Sequence, residues 1–287
     1  MDTVLLAQLL INGLLVGGSY VLVASGLTLI MGVARILNIA HGEFYLLGAY
    51  AFVFLYGFFH LNWILALIGS ALTVAIIGTI CHWLIFRHLL GNFFATMCAS
   101  IGLLMLLNQS VVVVFGERDY FVMPIFRGIL NIGGLTLPYD KVVVLGVSLF
   151  VMLGLYRFLN TKVGKAMTAT SMDSEAAVLL GISPTIIFIT AIAVASALAG
   201  IAGGMMAPIM GANRHLSGII LLAILIVLVA GHGSMKGAVI IGLLVGLVES
   251  FGYQFLGTWY LLALFILLGI IIYFRPEGLF GEAPPEV

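Results

Sequence analysis

The chain has 287 residues, 63% hydrophobic and 8% charged, with 11 basic and 11 acidic residues and a formal net charge of zero. Soluble domains carry about a quarter charged residues, so an ordinary water-soluble domain is excluded. The lack of a basic tract also excludes a nucleic-acid partner. Uncharged stretches run over 3–34, 44–86, 88–116, 176–213, 215–235 and 250–274. About 20 apolar residues at 1.5 Å rise cross a hydrocarbon core of about 30 Å. The fold class is therefore an all-α polytopic membrane protein, with residues 1–287 forming a single transmembrane domain embedded in membrane lipid.

In chain order, Asp2 stands where a signal peptide would carry a cation, so the first segment is expected to stay in the mature protein. Residues 4–33 would measure about 45 Å as one helix. With Gly17-Gly18-Ser19 at its centre, the segment reads either as one tilted helix or as two half-helices. The stretch 44–86 divides at Gly57, His60 and Asn62, and one span starts near Phe93. A short span over 142–156 lies between Lys141 and Arg157, whose side chains can snorkel to the interface. Further spans cover Pro184 to Ala207 and 216–230, and the 38 residues between Lys236 and Arg275 require a hairpin around Gly252 to Gly257. The total is eight or nine spans. Cys81 and Cys98, isolated in apolar segments, read as buried small hydrophobes.

Orientation follows from the cations. With the 157–183 loop in the cytoplasm and nine spans, Arg35, Arg87, Arg157, Lys162, Lys165, Lys236 and Arg275 fall inside, and Arg118, Arg127, Lys141 and Arg214 outside. The C-terminus is then cytoplasmic, and the N-terminus outside if the first segment crosses once. The outer loop, 116–140, has apolar positions on both sides of Gly133-Gly134, a hairpin signal. It also offers Glu117, Arg118, Asp119, Arg127 and Asp140 to a partner. In the inner loop, about 160–183, Asp173 or Ser174 can cap a short helix with Glu175 in its first turn. Gly181 can end that helix just before Pro184. Small Ala176 and Ala177 with apolar Val178, Leu179 and Leu180 suit a partner's groove. The same pattern suits a helix lying on the lipid surface.

Polar residues at membrane depth are the other candidates, because a charge near the bilayer centre costs about 2.5–3.5 kcal/mol on insertion scales. Asn38, His41 and Glu43 lie between the first two segments, near the cytoplasmic side, around Gly42. They read either as a gate lining a break in helical geometry at Gly42 or as an anchor built on a His41–Glu43 hydrogen bond. Glu249 calls for a partner on a neighbouring segment, and Asn108, Gln109 and Ser110 could line the route or bond between helices. Gly200, Gly203 and Gly204 point to close helix packing. The six histidines form no ligand pair at helical spacing, so no metal site is expected. No catalytic set and no Gly-x4-Gly-Lys-Ser/Thr phosphate loop is present, so neither an enzyme nor a bound cofactor is expected.

The run Gly164-Lys165-Ala166 followed by Asp173-Ser-Glu-Ala-Ala-Val-Leu-Leu-Gly-Ile182 resembles the EAA loop of ABC importer permeases. Three further blocks are similar to the branched-chain amino acid (LIV-type) group. These are Gly17 to Gly32 with Leu37-Asn-Ile-Ala-His-Gly-Glu43; Gly233-Ser234 through Glu249; and Phe274-Arg-Pro-Glu-Gly-Leu-Phe-Gly281. The family has Gly-Gly-x-Gly-Ser followed by a small residue and Pro where this chain reads Gly231-His232-Gly233-Ser234-Met235-Lys236, and its loop near Arg87-His88 is longer. The resemblance implies a permease subunit of the bacterial inner membrane, for branched-chain or other amino acids or related small polar solutes. It implies a second permease chain, two cytoplasmic ATPase subunits that bind the ATP, and a periplasmic substrate-binding protein. On it, Gly164, Asp173, Glu175, Ala176, Ala177 and Gly181 couple to the ATPases, while Asn38, His41, Gly42 and Glu43 line the pathway or gate. A self-sufficient carrier or channel with broken helices is the alternative.

Overall fold

In the computed structural model, residues 3–281 other than 127, 133 and 232 are described. The helices are α1 (Thr3–Ala34), α2 (His41–Phe52, continued by a π-helical Val53–Phe58), α3 (Trp63–Leu84), α4 (Phe93–Phe115) and α5 (Tyr139–Leu159). They are followed by α6 (Lys162–Met172), α7 (Ser174–Leu179), α8 (Pro184–Met210), α9 (Ile219–Ala230, entered by a 3-10 turn Arg214–Gly218), α10 (Met235–Leu256) and α11 (Tyr260–Phe274). Two strands, β1 (Ile129–Ile132) and β2 (Leu135–Pro138), pair antiparallel in the register Ile129↔Pro138 to Ile132↔Leu135. Side-chain caps start several helices: Asn62 accepts from Ile64 N–H, Asn92 from Ala95 N–H and Ser234 from Gly237 N–H.

Six helical stretches among the described residues are long and apolar enough to cross a membrane, and a shorter apolar one covers Arg214–Ala230. The chain is thus an all-α polytopic membrane protein carrying one small hairpin. The long Met235–Phe274 stretch turns at Gly257–Trp259, just past the expected Gly252. The first segment is one continuous helix, which decides between the two readings of Gly17-Gly18-Ser19.

That glycine pair is a packing device. A Cβ on Gly17 would lie 3.0 Å from the Leu243 Cα of α10, and one on Gly246 would collide with the Gly17 backbone. Small residues let helix backbones approach closely where no hydrophobic force drives helices together. Likewise α8 lies against α2: a Cβ on Gly203 would run into the Tyr45 carbonyl, and one on Gly48 into Gly200. Helix α1 is buried along most of its length and is the central post, with α8 and α10 against it. The opposite character appears on α3, where Leu65, Ile68, Leu72, Ile76 and Ile80 form an exposed apolar stripe at helical spacing. Cys81 is buried as expected, but Cys98 is exposed, because its position on α4 points away from the bundle.

The bundle has two ends. At one, the hairpin is clipped to α1: Gln8 Nε2 donates to the Thr136 carbonyl and the Thr136 N–H donates to Gln8 Oε1. Close by in sequence, the Lys141 ammonium donates to Asn12, and the Asp140 carboxylate accepts from the Phe126 N–H. Arg214 pairs with Glu117 at 3.1 Å, and Tyr120 forms a β-bridge with Ala212. The other end carries α6 and α7. There the Leu279 and Phe280 N–H groups donate to the Val229 and Ala230 carbonyls, so the block after α11 is pinned to the end of α9.

Candidate functional site

Helix α7 is a six-residue peg. Of the two expected caps, Asp173 is the one used: its carboxylate accepts from the Glu175 N–H at 2.9 Å and the Ala176 N–H at 3.0 Å. Gly181, at φ +79°, ends it, and the Ile182 N–H returns to the Ala177 carbonyl. Ala177 is 2% exposed, within the core, whereas Leu179 is 88% and Leu180 77% exposed. Ala176 is exposed as well. The residues before the peg form a second helix, α6, capped by Thr161 and unanticipated from the sequence. Gly164 belongs to α6, where a Cβ would strike the Leu159 backbone, so it seats α6 under the end of α5.

The polar group around Gly42 is arranged differently from its expectation. The break in helical geometry falls at 35–40, with Arg35 at φ 54°, and Gly42 lies inside the first turn of α2. Its missing side chain serves a close approach instead: a Cβ there would lie 2.5 Å from the Ser217 carbonyl and 2.7 Å from Ile220. The segment 35–40 is held by α4, because the Ser100 hydroxyl accepts from the Ile39 N–H and lies 3.3 Å from the Leu37 carbonyl. His41 lies inside the bundle: a Cβ on Gly26 would touch both its ring and the Ala195 carbonyl of α8, eleven residues and about 16 Å along that helix from Pro184.

His41 and Glu43 do not pair. Two residues apart on a helix, they face different neighbours. The imidazole, 0% exposed, packs against Gly26 and edge-on to Phe44. Glu43, 1% exposed, accepts from the Asn108 amide at 3.3 Å on each oxygen, and the Ser217 hydroxyl of the neighbouring turn donates to the Arg214 carbonyl. Asn38 is 2% exposed and its side-chain carbonyl oxygen has no hydrogen-bond partner among the described residues. The structure thus joins Glu43 of α2 to Asn108 of α4, with Ser217 of the turn before α9 close against Gly42. Sequence reasoning missed Ser100 and Ser217, since a lone serine in an apolar run carries no pattern.

Glu249 does find neighbouring partners. Tyr20 Oη donates to it at 2.5 Å and Tyr260 Oη at 3.1 Å, tying α1, α10 and α11 together. His232 and Arg127 lie outside the described residues.

A buried polar junction halfway along a bundle, with a capped apolar peg at one end, can gate a solute route and receive a partner's push. The family described as "Branched-chain amino acid transport system / permease component" matches residues 9–274. The chain is similar to the high-affinity branched-chain amino acid transport system permease protein BraD of Pseudomonas aeruginosa, 31% identical over 98% of this chain and 96% of the relative. LivH of Escherichia coli, named in the same words, is 26% identical over 98% of this chain and 96% of its own length. Among solved structures, PsaBC from Streptococcus pneumoniae in complex with Fab shares the fold, with a TM-score of 0.52 at 14% identity over 95% of this chain and 92% of that one. With its helical bundle and near-complete match to the family, the chain belongs to the permease components of branched-chain amino acid transport systems.

Proposed function

We propose that the chain is the membrane-embedded permease subunit of an ATP-driven, binding-protein-dependent importer of the bacterial inner membrane, carrying branched-chain or related small amino acids. The observation that carries this reading is α7: a capped helix fixed by buried Ala177 while Leu179 and Leu180 project from the bundle. A self-sufficient carrier has no use for such a peg, and the sequence has no phosphate loop of its own. Two cytoplasmic ATPase subunits therefore grip the peg, a second permease chain completes the pathway, and a periplasmic binding protein delivers solute. The α7 end faces the cytoplasm and the hairpin end faces outward. Nine passes follow from this reading: α1, α2 with its π-helical extension, α3, α4, α5, α8, the 214–230 segment, α10 and α11. The pathway runs by Asn38, His41 and Glu43.

Replacing Ala176 with Arg puts a bulky charge on the peg's exposed surface. The variant should insert normally, copurify with its permease partner, and lose substrate-stimulated ATP hydrolysis. Full stimulation in Ala176→Arg would refute the coupling role.

A further inference from the structure

Beside α7 the structure holds a cavity to which the transport reading assigns no ligand. Its volume is about 700 Å3, and Arg35, Asn92, Phe93, Thr96, Asp173 and Glu175 are among its lining. Ligand sites typically occupy about 300–1,000 Å3. A second hollow of about 820 Å3 adjoins it across Arg35, Phe93 and Met172. Ile36, part of the broken segment that leads to Asn38 and His41, lines the first cavity, so it lies at the foot of the proposed pathway.

The lining has a definite chemistry. Arg35 is exposed and makes no ion pair among the described residues. It holds a left-handed backbone that non-glycine residues adopt at a cost of about 1–3 kcal/mol, sustained only where the surroundings impose it. On the α7 wall, Asp173 is occupied in capping, but the Glu175 carboxylate has no hydrogen-bond partner among the described residues. Val33, Leu90, Phe93, Met172 and Phe188 supply apolar surface. A free guanidinium offers a fork for a carboxylate, a free carboxylate receives an ammonium, and apolar walls accept a hydrocarbon side chain.

We propose that this cavity is a cytoplasmic binding site for a zwitterionic amino acid with an apolar side chain, through which accumulated solute slows the transporter. Arg35 follows α1 and Glu175 belongs to α7, so one ligand bridging them fixes the peg relative to the α1–α2 junction. Such a ligand shifts the transport cycle only by binding one state better than another, and a bridge made in one setting of α7 does that. The inference rests on α7 being the coupling element.

The test uses the purified complex of both permeases and both ATPases in nanodiscs, without binding protein, and L-leucine as the probe. L-leucine should bind and inhibit ATP hydrolysis. Leucinamide, lacking the carboxylate, and 4-methylpentanoate, lacking the ammonium, should each be at least about tenfold less potent, since each forfeits a charge-assisted contact. In Arg35→Gln the half-inhibitory concentration of L-leucine should rise about tenfold or more, with Arg35→Lys in between. Inhibition expressed as a fraction of each complex's own uninhibited rate keeps the comparison independent of basal activity. Absence of leucine binding, equal potency of the three compounds, or unchanged sensitivity in a folded Arg35→Gln complex would overturn the proposal. If Arg35→Gln does not assemble, the compound series on the unaltered complex decides. Failure of the ATPases to copurify, or full stimulation in Ala176→Arg, would instead overturn the proposed function.

Discussion

Leu179→Asp separates docking from folding. Leu179 is 88% exposed and caps nothing, while the buried Ala177 two residues earlier seats the peg. An exposed substitution away from such features changes stability by about 0.5 kcal/mol or less, so thermal unfolding of the purified permease should be unaltered. When an ATPase groove covers Leu179, the lost burial is about 1.5–3 kcal/mol. An unpaired carboxylate left in the same place adds about 1–3 kcal/mol more. Together these come to about 2.5–6 kcal/mol, a drop in ATPase affinity of about sixtyfold or more. Titrating the immobilised permease pair with soluble ATPase subunit measures that affinity directly. Unchanged affinity would refute docking at α7. A matching fall in unfolding temperature would show that Leu179 serves the permease's own fold.

Three other outcomes are expected. Asn108→Ala strips the amide donor from both oxygens of Glu43 and should cost about 1–3 kcal/mol of folded-state stability; a variant as stable as the parent would show that Glu43 needs no such partner. Asn38→Leu and His41→Ala should lower uptake per purified complex in proteoliposomes several-fold, and near-normal uptake for both would remove these residues from the pathway. Gly203→Leu, which meets the Tyr45 carbonyl, should abolish folded yield, whereas Gly102→Ala, with open space around it, should leave it unchanged; detergent-stable yield on a sizing column compares the two.

Much of the architecture was legible because charge-free runs and their flanking charges reflect the bilayer directly. The helix starts at Phe93 and Pro184 and the hairpin around Gly133-Gly134 are visible in that pattern. Glycines were harder to read. In water a mid-helix glycine costs about 1 kcal/mol and hints at a break, but in a membrane bundle it also admits a neighbouring backbone. Gly17 and Gly42 both take the second role, against Leu243 and Ser217, residues more than 170 positions away in the chain. The candidate site suffered from the same distance. His41 and Glu43 look paired in sequence, yet helical geometry turns them to different neighbours, and Asn108 and Ser217 come from elements whose approach no local pattern encodes.

The position of α1 has a consequence for how the protein is made. It precedes the other described helices in the chain, yet one side of it is completed by the next to last of them: Ser250 Oγ donates to the Leu9 carbonyl, and Tyr20 Oη donates to Glu249. Until α10 arrives, Gly13 and Gly17 of α1 lack the helix whose backbone fits against them. Glu249 follows one of its phenol partners, Tyr20, into the bilayer and precedes the other, Tyr260. That side of α1 therefore stays open until α10 is made, and a chain truncated before α10 would leave it unfilled.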